Sequence, residues 1–165
     1  MNITIKKLDP RKNIDKNYLR WMNDFEVHKY TEQKYKKHTI QSIRKFVKEK
    51  NKSKTEFLYG IFFHKKHIGN IKLGPINFYH RYAEISYFIG DKQFWGRGIT
   101  AKAIGEIVKI AKKKKLKKLI AGFYSLNVGS KKVLEKNGFR KEALFKSKFK
   151  FKNTRCDHVI YGKLI

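Results

Sequence analysis

The residues that build covalent or metal-held frameworks are scarce in this 165-residue sequence. Cys156 is the single cysteine, so no intramolecular disulfide can form, and we expect it to be a small buried strand residue rather than a nucleophile. The six histidines do not fall at zinc-site spacing with cysteines or acids. The sequence therefore excludes a disulfide scaffold and predicts no metal site.

Long apolar runs and changes of composition are also missing. No run approaches the roughly 20 apolar residues of a membrane-spanning helix, and the stretch Met1-Asn-Ile-Thr-Ile-Lys-Lys7 lacks the apolar centre of a signal peptide. We detect no linker or internal repeat, and the length suits one domain. We therefore expect a single domain over residues 1–165, soluble and cytoplasmic, a monomer or homodimer without a membrane partner.

Acidic residues are few: 13 Asp and Glu stand against 41 Lys and Arg, giving a formal net charge of +28. Such an excess attracts anions, including nucleotide-linked substrates and, without sequence preference, nucleic acid. Lysine supplies most of the basic residues and is spread along the chain, whereas arginine is the residue that reads phosphates and bases bidentately. We therefore predict solvated lysine faces and no specific nucleic-acid partner. A non-enzymatic basic protein that binds nucleic acid stays open as the alternative class.

Aromatic residues make up 15% of the chain and hydrophobic residues 41%, which is typical of a globular protein. Their periodicity predicts strands at 3–8, 57–63, 68–73, 82–89, 116–123, 139–151 and 157–164, and helices at 14–23, 39–47, 99–112 and 127–137. The segment 25–37 is predicted to be a loop. We expect Gly74-Pro75 to end the third strand, and His64 and His67 to flank a solvated hairpin turn.

A glycine-rich turn, Gln93-Phe-Trp-Gly-Arg-Gly98, joins the predicted strand 82–89 to the helix that begins at Ile99. Glycine lets the backbone approach a ligand closely. The free N–H groups of the first helical turn, together with the helix dipole, point at an anion. The arrangement predicts a phosphate-binding loop, with a plain strand-to-helix turn as the alternative.

Three blocks of the sequence together resemble one enzyme family. The pattern Gln-x-x-Gly-x-Gly at 93–98, behind the strand Ala83-Glu-Ile-Ser-Tyr87, resembles motif A of the GNAT acyl-CoA-dependent N-acetyltransferases. Asn127-Val-Gly-Ser130 and Leu134-Glu-Lys-Asn-Gly-Phe139 resemble the second half of that signature, as in the RimJ/RimL-like branch. The resemblance implies an α+β fold, a GNAT-like mixed central sheet with splayed strands flanked by about four helices. It also implies an acetyl-CoA-dependent N-acetyltransferase whose co-substrate enters the gap between the splayed strands.

The resemblance implies co-substrate contacts at Tyr87, Phe88, Ile89, Gln93, Trp95, Gly96, Arg97, Gly98, Ile99, Thr100 and Asn127. The pyrophosphate is expected on the backbone N–H groups of residues 95–100, and the pantetheine arm along the backbone of residues 87–89. A backbone N–H near Phe88 is then the expected donor to the oxyanion. Asn127 is expected to hydrogen-bond pantetheine, to cap the helix that it opens, or to do both.

The family's usual general acid is missing at its expected position. Many members have a tyrosine seven residues after this asparagine, where the present sequence has Leu134. The resemblance to the RimJ/RimL-like branch then implies Ser130 as the group that protonates the leaving thiolate. A solvated serine at the start of a helix is the alternative.

Glu84 is the candidate general base, acting through a water molecule. Strand alternation places Glu84 and Ser86 on one face of the sheet, and a similar glutamate serves as the base in some relatives of the family. A buried ion pair with Arg81 or a lysine is the alternative. His80 and Tyr124 are reserve candidates for the base.

The acceptor site is implied only through the family. The resemblance places its walls on the first two helices, the loop between them and the last hairpin, which nominates Trp21, Tyr30, Tyr35 and Phe149, with Ser86 of the central strand. Each of these could equally be a core residue. The expected acceptor is the primary amine of a small molecule, in the first place a nucleotide-linked amino sugar. The positive charge suits a nucleotide diphosphate and an acidic protein equally. The alternative is the N-terminal α-amine of a protein, including a ribosomal protein.

Overall fold

The computed structural model of the protein describes residues 2–165. Over that range the strands are β1 (Ile3–Lys7), β2 (Phe57–Phe63), β3 (Lys66–Asn77), β4 (Tyr82–Ile89), β5 (Lys118–Tyr124), β6 (Arg140–Phe151) and β7 (Thr154–Leu164). The helices are α1 (Lys16–Met22), α2 (Phe25–His28), α3 (Ile40–Lys52), α4 (Ile99–Lys113) and α5 (Val128–Lys136), with 3₁₀ turns at Glu32–Tyr35 and Lys92–Phe94. The predicted α+β fold is confirmed.

All strands join one mixed sheet in the order β1-β2-β3-β4-β5-β7-β6. Neighbours are antiparallel except β4 and β5, which run parallel. These two strands pair over three residues, Tyr82, Ala83 and Glu84 against 118–120, and then diverge towards Ile89 and Tyr124. The predicted splay of the central strands is therefore confirmed, and it leaves a gap at their carboxyl ends.

The main core lies between the sheet and the helices α4 and α5. Ile104 and Ile107 on α4 and Leu134 on α5 are fully buried there, at the period that a helix presents to a sheet. Burying each such side chain contributes about 1.5–3 kcal/mol relative to exposure. This packing fixes the start of both helices beside the gap.

A second core covers the opposite face of the sheet. Tyr18 and Trp21 of α1 pack with Val47 of α3 and Phe62 of β2, and Phe88 of β4 lies against this group. Strand β4 is therefore held from both faces. Its carboxyl half, which no longer pairs with β5, lies where the sheet opens towards the starts of α4 and α5.

The segment 25–37, predicted to be a loop, contains helix α2 and a 3₁₀ turn, so the described chain has five α-helices where about four were expected. Asp24 caps α2 by accepting from the backbone N–H of Glu26, and Thr31 caps the 3₁₀ turn by accepting from that of Gln33. Each element is four residues long. One helical turn is too short to produce a readable hydrophobic period.

Strand β3 does not end at Gly74-Pro75 as predicted. It continues to Asn77 through a register shift between Leu73 and Ile76, and pairing with β4 resumes at Ile76. The irregularity removes the proline, which has no N–H, from the hydrogen-bond ladder. The strand thus tolerates a residue that ordinarily interrupts a sheet interior.

The prediction for His67 is wrong, since its ring is partly buried against Tyr18 and Trp21. Its Nε2 lies 3.0 Å from the carbonyl oxygen of Gly69. His64 is exposed, as expected, and Cys156 is buried in β7. No helix within residues 2–165 is both long and apolar enough to cross a bilayer.

Candidate active site

A cleft with a volume of about 490 Å³ opens at the gap between β4 and β5. Four parts of the chain line it: α2 with the residues after it, the end of β4, the glycine turn with the start of α4, and the start of α5. The lining residues are Glu26, Val27, Lys29, Tyr30, Thr31, Tyr87, Phe88, Ile89, Phe94, Trp95, Gly96, Arg97, Gly98, Ile99, Thr100, Asn127, Gly129, Ser130, Lys132 and Val133. The structure therefore brings together the predicted co-substrate residues, with the exception of Gln93, which lies in the 3₁₀ turn outside this set.

The glycine turn presents backbone rather than side chains to the cleft. Gly96 and Gly98 have φ angles of 71° and 70°, in the left-handed region that favours glycine. A Cβ added at either position would have no described atom within 4 Å. Gly98 is the N-cap of α4 and has no side chain to cap it, while Ile99 is anchored in the core with 1% exposure. The first N–H groups of α4 are thereby left for an anion, so the turn fits a phosphate.

The charges around the cleft also favour an anion. Lys29, Arg97 and Lys132 line it, against the single carboxylate of Glu26. Glu26 is itself paired with Lys29 at 2.8 Å. Arg97 is exposed, with its guanidinium 5.5 Å from the centre of the Phe94 ring. A basic rim of this kind raises the local concentration of a phosphorylated ligand.

The carboxyl half of β4 forms the floor of the cleft. Its residues 85–89 pair with β3 on one edge and diverge from β5 on the other. Trp95 closes the turn back onto this strand, because its Nε1–H donates to the carbonyl oxygen of Ile89 at 2.8 Å. An extended ligand could therefore lie along the open edge of β4, in the position of a missing strand.

A hydrogen-bonded pair of hydroxyls joins β4 to α5 across the cleft. The Tyr87 hydroxyl lies 2.7 Å from Ser130 Oγ, and both residues line the cleft. Burial raises the pKa of the Tyr87 phenol to about 12, although the hydrogen bond with Ser130 opposes that shift. Ser130 N–H donates to Asn127 Oδ1 at 3.0 Å, so the capping role of Asn127 is confirmed. The phenol of Tyr87 was missed because the sequence interpretation used only its backbone.

Glu84 and Ser86 lie exposed on the face of the sheet that carries α1 and α3. Within residues 2–165 the Glu84 carboxylate has no ion-pair partner, so the alternative of a buried ion pair is wrong. Glu84 is the last residue of β4 that pairs with β5, and it does not line the cleft. Its carboxylate is accessible to water, as a general base that acts through water requires. Its role stays a prediction.

The reserve candidates for the base are poorly placed. His80 is exposed in the turn before β4, at the end of the strand opposite to the cleft. Tyr124 is buried and donates to Glu32 Oε1 at 2.6 Å. Burial and the Glu32 carboxylate both raise the pKa of Tyr124, so its phenol stays protonated at neutral pH. A protonated phenol donates rather than accepts a proton.

The residues nominated for the acceptor site separate into two groups. Trp21 is 5% exposed in the second core and does not line the cleft. Tyr30 lines the cleft, and its ring stacks on that of Phe151 with 5.4 Å between the ring centres. Phe149 stacks on Tyr124 with 4.1 Å between the ring centres. Tyr35 is 63% exposed beside this group.

Glu32, Lys34, Phe151 and His158 belong to the same neighbourhood and were missed in the sequence. They come together because the β6–β7 hairpin and the end of β5 meet the segment 29–35. Lys34 and Tyr124 are in contact although they lie 90 residues apart in the sequence. No local pattern reports such a contact.

Comparisons with known proteins agree with this geometry. The sequence profile described as the acetyltransferase (GNAT) domain matches residues 3–140. The probable N-acetyltransferase YjcK of Bacillus subtilis (strain 168) is 32% identical over 134 residues, which is 77% of this chain and 74% of that protein. This chain belongs to the GNAT acetyltransferase family. The predicted family and enzyme class are confirmed, and the alternative of a non-enzymatic nucleic-acid-binding protein is wrong.

Solved GNAT structures share the fold at low sequence identity. The ribosomal L7/L12 α-N-protein acetyltransferase RimL, in complex with coenzyme A, superposes with a TM-score of 0.86 at 18% identity, covering 99% of this chain and 94% of that one. A spermidine N-acetyltransferase from Vibrio cholerae, in complex with CoA and spermine, superposes with a TM-score of 0.85 at 18% identity. The match covers 98% of this chain and 95% of that one. The GNAT arrangement of this sheet is thus shared with enzymes whose acceptors differ in kind.

Proposed function

We propose that this GNAT chain transfers the acetyl group of acetyl-CoA to a primary amine. The observation that carries the proposal is the glycine turn, whose left-handed glycines and uncapped helix start face the gap between β4 and β5. The related structures that hold coenzyme A support the same co-substrate. We expect the activity in the cytoplasm, where acetyl-CoA is available.

The described residues fit acetyl-CoA in two places. The N–H groups at the start of α4, with Arg97 and Lys132 nearby, would hold the pyrophosphate. The open edge of β4 over residues 85–89 would hold the pantetheine arm, and a backbone N–H near Phe88 would stabilise negative charge on the acetyl oxygen. Acetyl-CoA itself supplies an acetyl group activated as a thioester.

Ser130 is proposed as the proton donor to the leaving sulfur. Either hydroxyl of the Tyr87–Ser130 pair can donate to the other. In the proposed role Tyr87 donates to Ser130 Oγ, which leaves the hydrogen of Ser130 to point at the sulfur. Leu134, at the position of the family's usual tyrosine, is fully buried and apolar. The Tyr87–Ser130 pair therefore supplies the hydroxyl chemistry that this position lacks.

Glu84 is proposed to remove the proton of the acceptor amine through a water molecule. The amine must be neutral to attack the acetyl carbonyl, and a protonated primary amine prevails at neutral pH. Glu84 is exposed and unpaired within the described chain, so water can connect it to an amine above β4. General-base catalysis of this kind typically contributes ~10²–10⁴-fold.

For the acceptor we propose a small amine, in the first place an amino sugar carried on a nucleotide. The net charge of +28 favours an anionic group such as a diphosphate. The N-terminal α-amine of a protein is the second candidate, since RimL, which shares the fold, acts on the ribosomal protein L7/L12.

The proposal is tested in two steps. Isothermal titration calorimetry with acetyl-CoA should give saturable binding. The absence of binding heat at low-millimolar acetyl-CoA would refute the proposed acetyl-CoA-dependent activity. A screen with amino-sugar nucleotides and N-terminal peptides, read by release of free thiol, then identifies the acceptor. Turnover of the peptides alone would reverse the order of the two acceptors.

A further inference from the structure

The ammonium group of Lys34 lies among three aromatic rings. Its Nζ is 4.5 Å from the ring centre of Tyr124, 5.0 Å from that of Tyr35 and 5.3 Å from that of Phe151. We call these three rings the aromatic cage. Several π faces directed at one cation form the type of site that binds alkylammonium groups.

The cage has a negatively charged end. Lys34 Nζ lies 3.3 Å from the Tyr124 hydroxyl, which itself donates to Glu32 Oε1 at 2.6 Å. Lys34 Nζ also donates to the carbonyl oxygen of Lys29 at 3.1 Å. Within residues 2–165 no carboxylate lies within 4.0 Å of this ammonium, so rings and neutral oxygens hold it.

The cage is firmly built from segments far apart in the chain. Tyr124, the last residue of β5, is 3% exposed and stacks on Phe149 with an interplanar angle of 9°. Phe151 stacks on Tyr30, a residue of the cleft wall. The Tyr35 hydroxyl donates to the carbonyl oxygen of Lys150 at 3.3 Å. Packing and hydrogen bonds therefore hold the walls, whereas the lysine side chain that fills the cage is long and flexible.

The cage also adjoins the proposed reaction site. Tyr124 ends β5 at the gap between β4 and β5, and Lys29 and Tyr30 line the cleft. We propose that the cage is the subsite for a second, cationic alkylammonium group of the acceptor, separate from the neutral amine that is acetylated. Occupation of the cage by the acceptor would therefore favour a small molecule with two amines over an amino sugar with one. In the free protein Lys34 fills it as an internal competitor, and the acceptor displaces Lys34 on binding.

The overall positive charge does not exclude a cationic ligand here. Charges further than roughly 8 Å away are largely screened at physiological salt, and Glu32 lies at the cage itself. An internal competitor lowers the apparent affinity for the ligand in proportion to its occupancy. The identification of the ligand as the acceptor rests on the proposed acetyl transfer, whereas cation binding by the cage does not.

The test uses choline chloride as the cation and 3,3-dimethylbutan-1-ol as its neutral isostere. Lys34→Ala empties the cage, and Lys34→Arg is the matched control because it keeps a cation there. By calorimetry, we expect Lys34→Ala to bind choline at least about tenfold more tightly than the wild type or Lys34→Arg. The isostere should bind all three proteins equally weakly. Equal choline affinity of wild type and Lys34→Ala, or equal binding of choline and the isostere by Lys34→Ala, would overturn the proposal.

Two further measurements show whether a change in choline affinity comes from the cage or from misfolding of a variant. Adding Tyr35→Ala to Lys34→Ala removes an exposed wall of the cage, and it should abolish the gain in choline affinity. In the wild-type protein, choline should increase the labelling of Lys34 by an amine-reactive ester, read by peptide mass spectrometry, and the isostere should not. Unchanged labelling, or an unchanged gain in affinity, would count against the cage.

Binding of acetyl-CoA is measured on the same samples. If acetyl-CoA fails to bind while choline still distinguishes Lys34→Ala from Lys34→Arg, the proposed function is wrong and the cage stands. If acetyl-CoA binds and choline does not discriminate, the cage proposal is wrong and the proposed function stands.

Discussion

The two walls of the cleft are built differently. The cofactor wall, defined as the carboxyl half of β4, the glycine turn 93–98 and the start of α5, presents mainly backbone groups from neighbouring parts of the sequence. The other wall, which we name the acceptor wall after the proposed acceptor, is defined as segment 25–35 with the end of β5 and the β6–β7 hairpin packed beside it. It presents side chains from parts of the sequence that are far apart. A backbone site fails when its conformation or its access is changed. A side-chain site fails when one group is removed, so the two walls should respond to different substitutions.

The largest effect is expected from Gly98→Glu in the cofactor wall. A carboxylate at this helix start would occupy the space open to the phosphate and repel it, and such like-charge contacts cost several kcal/mol. We expect acetyl-CoA affinity by calorimetry to fall at least about a hundredfold. Circular dichroism and thermal melting report whether the variant is folded.

Gly138→Glu is the matched control for this substitution. Gly138 has a φ of 78°, close to that of Gly98, but it follows α5 away from the cleft. The two variants therefore carry similar backbone strain, and only Gly98→Glu should lose the ligand. If both lost affinity equally, the glycine turn would be no more than a strand-to-helix turn.

Glu84→Gln tests the proposed base with the next largest effect. Acetylation at neutral pH should slow by ~10²–10⁴-fold. Part of the rate should return at high pH, where more of the acceptor amine is already neutral. Acetyl-CoA affinity should stay unchanged, because the co-substrate contacts proposed here are backbone groups further along β4.

Glu106→Gln is the control, since Glu106 is a surface carboxylate of α4 paired with Lys109 at 2.7 Å. It should leave the rate unchanged at every pH. Loss of thermal stability and co-substrate affinity in Glu84→Gln, without recovery at high pH, would make Glu84 a structural residue.

A smaller effect is expected where Tyr87 acts through Ser130. Ser130→Ala should lower kcat about a hundredfold at every pH, since a thiolate still has to leave. Tyr87→Phe removes one hydrogen bond and should lower kcat about tenfold, with acetyl-CoA affinity unchanged. The double variant should be no slower than Ser130→Ala, because Tyr87 has nothing to orient once Ser130 is gone.

Tyr161→Phe is the matched control for Tyr87→Phe. Its hydroxyl donates to Glu135 Oε1 at 3.0 Å, away from the cleft, so its loss should not change kcat. Additive losses in the double variant of Tyr87 and Ser130 would show that the two hydroxyls act independently.

The contrast between the walls also explains what the sequence could predict. The bounds of β4, 82–89, match the prediction, because this stretch is rich in aromatic and β-branched residues and ends at Gly90. The glycine turn is read locally as well, since Gly96 and Gly98 take the left-handed conformation that glycine allows. The gap itself has no signal in the periodicity, and only the resemblance to a family implied it.

The acceptor wall could not be predicted in the same way. Helix α2 is four residues long, too short for a period to show. Lys34, Tyr124 and Phe151 meet only after β6 and β7 have folded back over the segment 29–35. Aromatic residues at such positions look the same in a sequence whether they enter a core, as Trp21 does, or a cleft, as Tyr30 does.

We also expect the acceptor wall to make the fold less stable at acidic pH, because it contains the buried His28. This residue of α2 is 1% exposed, with its ring 4.8 Å from that of Phe88 on β4. Its Nδ1 lies 3.1 Å from Thr31 Oγ1, and within the described residues its Nε2 has no partner. Burial and the nearby His38 lower the pKa of His28 to about 4, against a weaker opposing effect of Asp24.

The sign of the pH dependence follows from that lowered pKa. Above pH 6.5 the imidazole is neutral in both the folded and the unfolded state. Between pH 6.5 and about 4 the imidazole is protonated in the unfolded chain but not in the folded chain. The free energy of unfolding therefore decreases as the pH is lowered through this range. The full loss from this one residue amounts to about 3 kcal/mol, and below about pH 4 it grows no further.

His28→Asn should reduce this slope, measured as the free energy of unfolding by urea between pH 7 and 4.5. Asparagine places an oxygen near the position of Nδ1, so the contact with Thr31 can persist while the unpartnered Nε2 is removed. His64→Asn is the matched control, because His64 is exposed in the β2–β3 turn at a φ of 43°, which asparagine tolerates. Its slope should equal that of the wild type. An unchanged slope in His28→Asn would show that His28 titrates alike in both states. The acid sensitivity would then belong to another histidine, such as the partly buried His67, whose pKa burial also lowers.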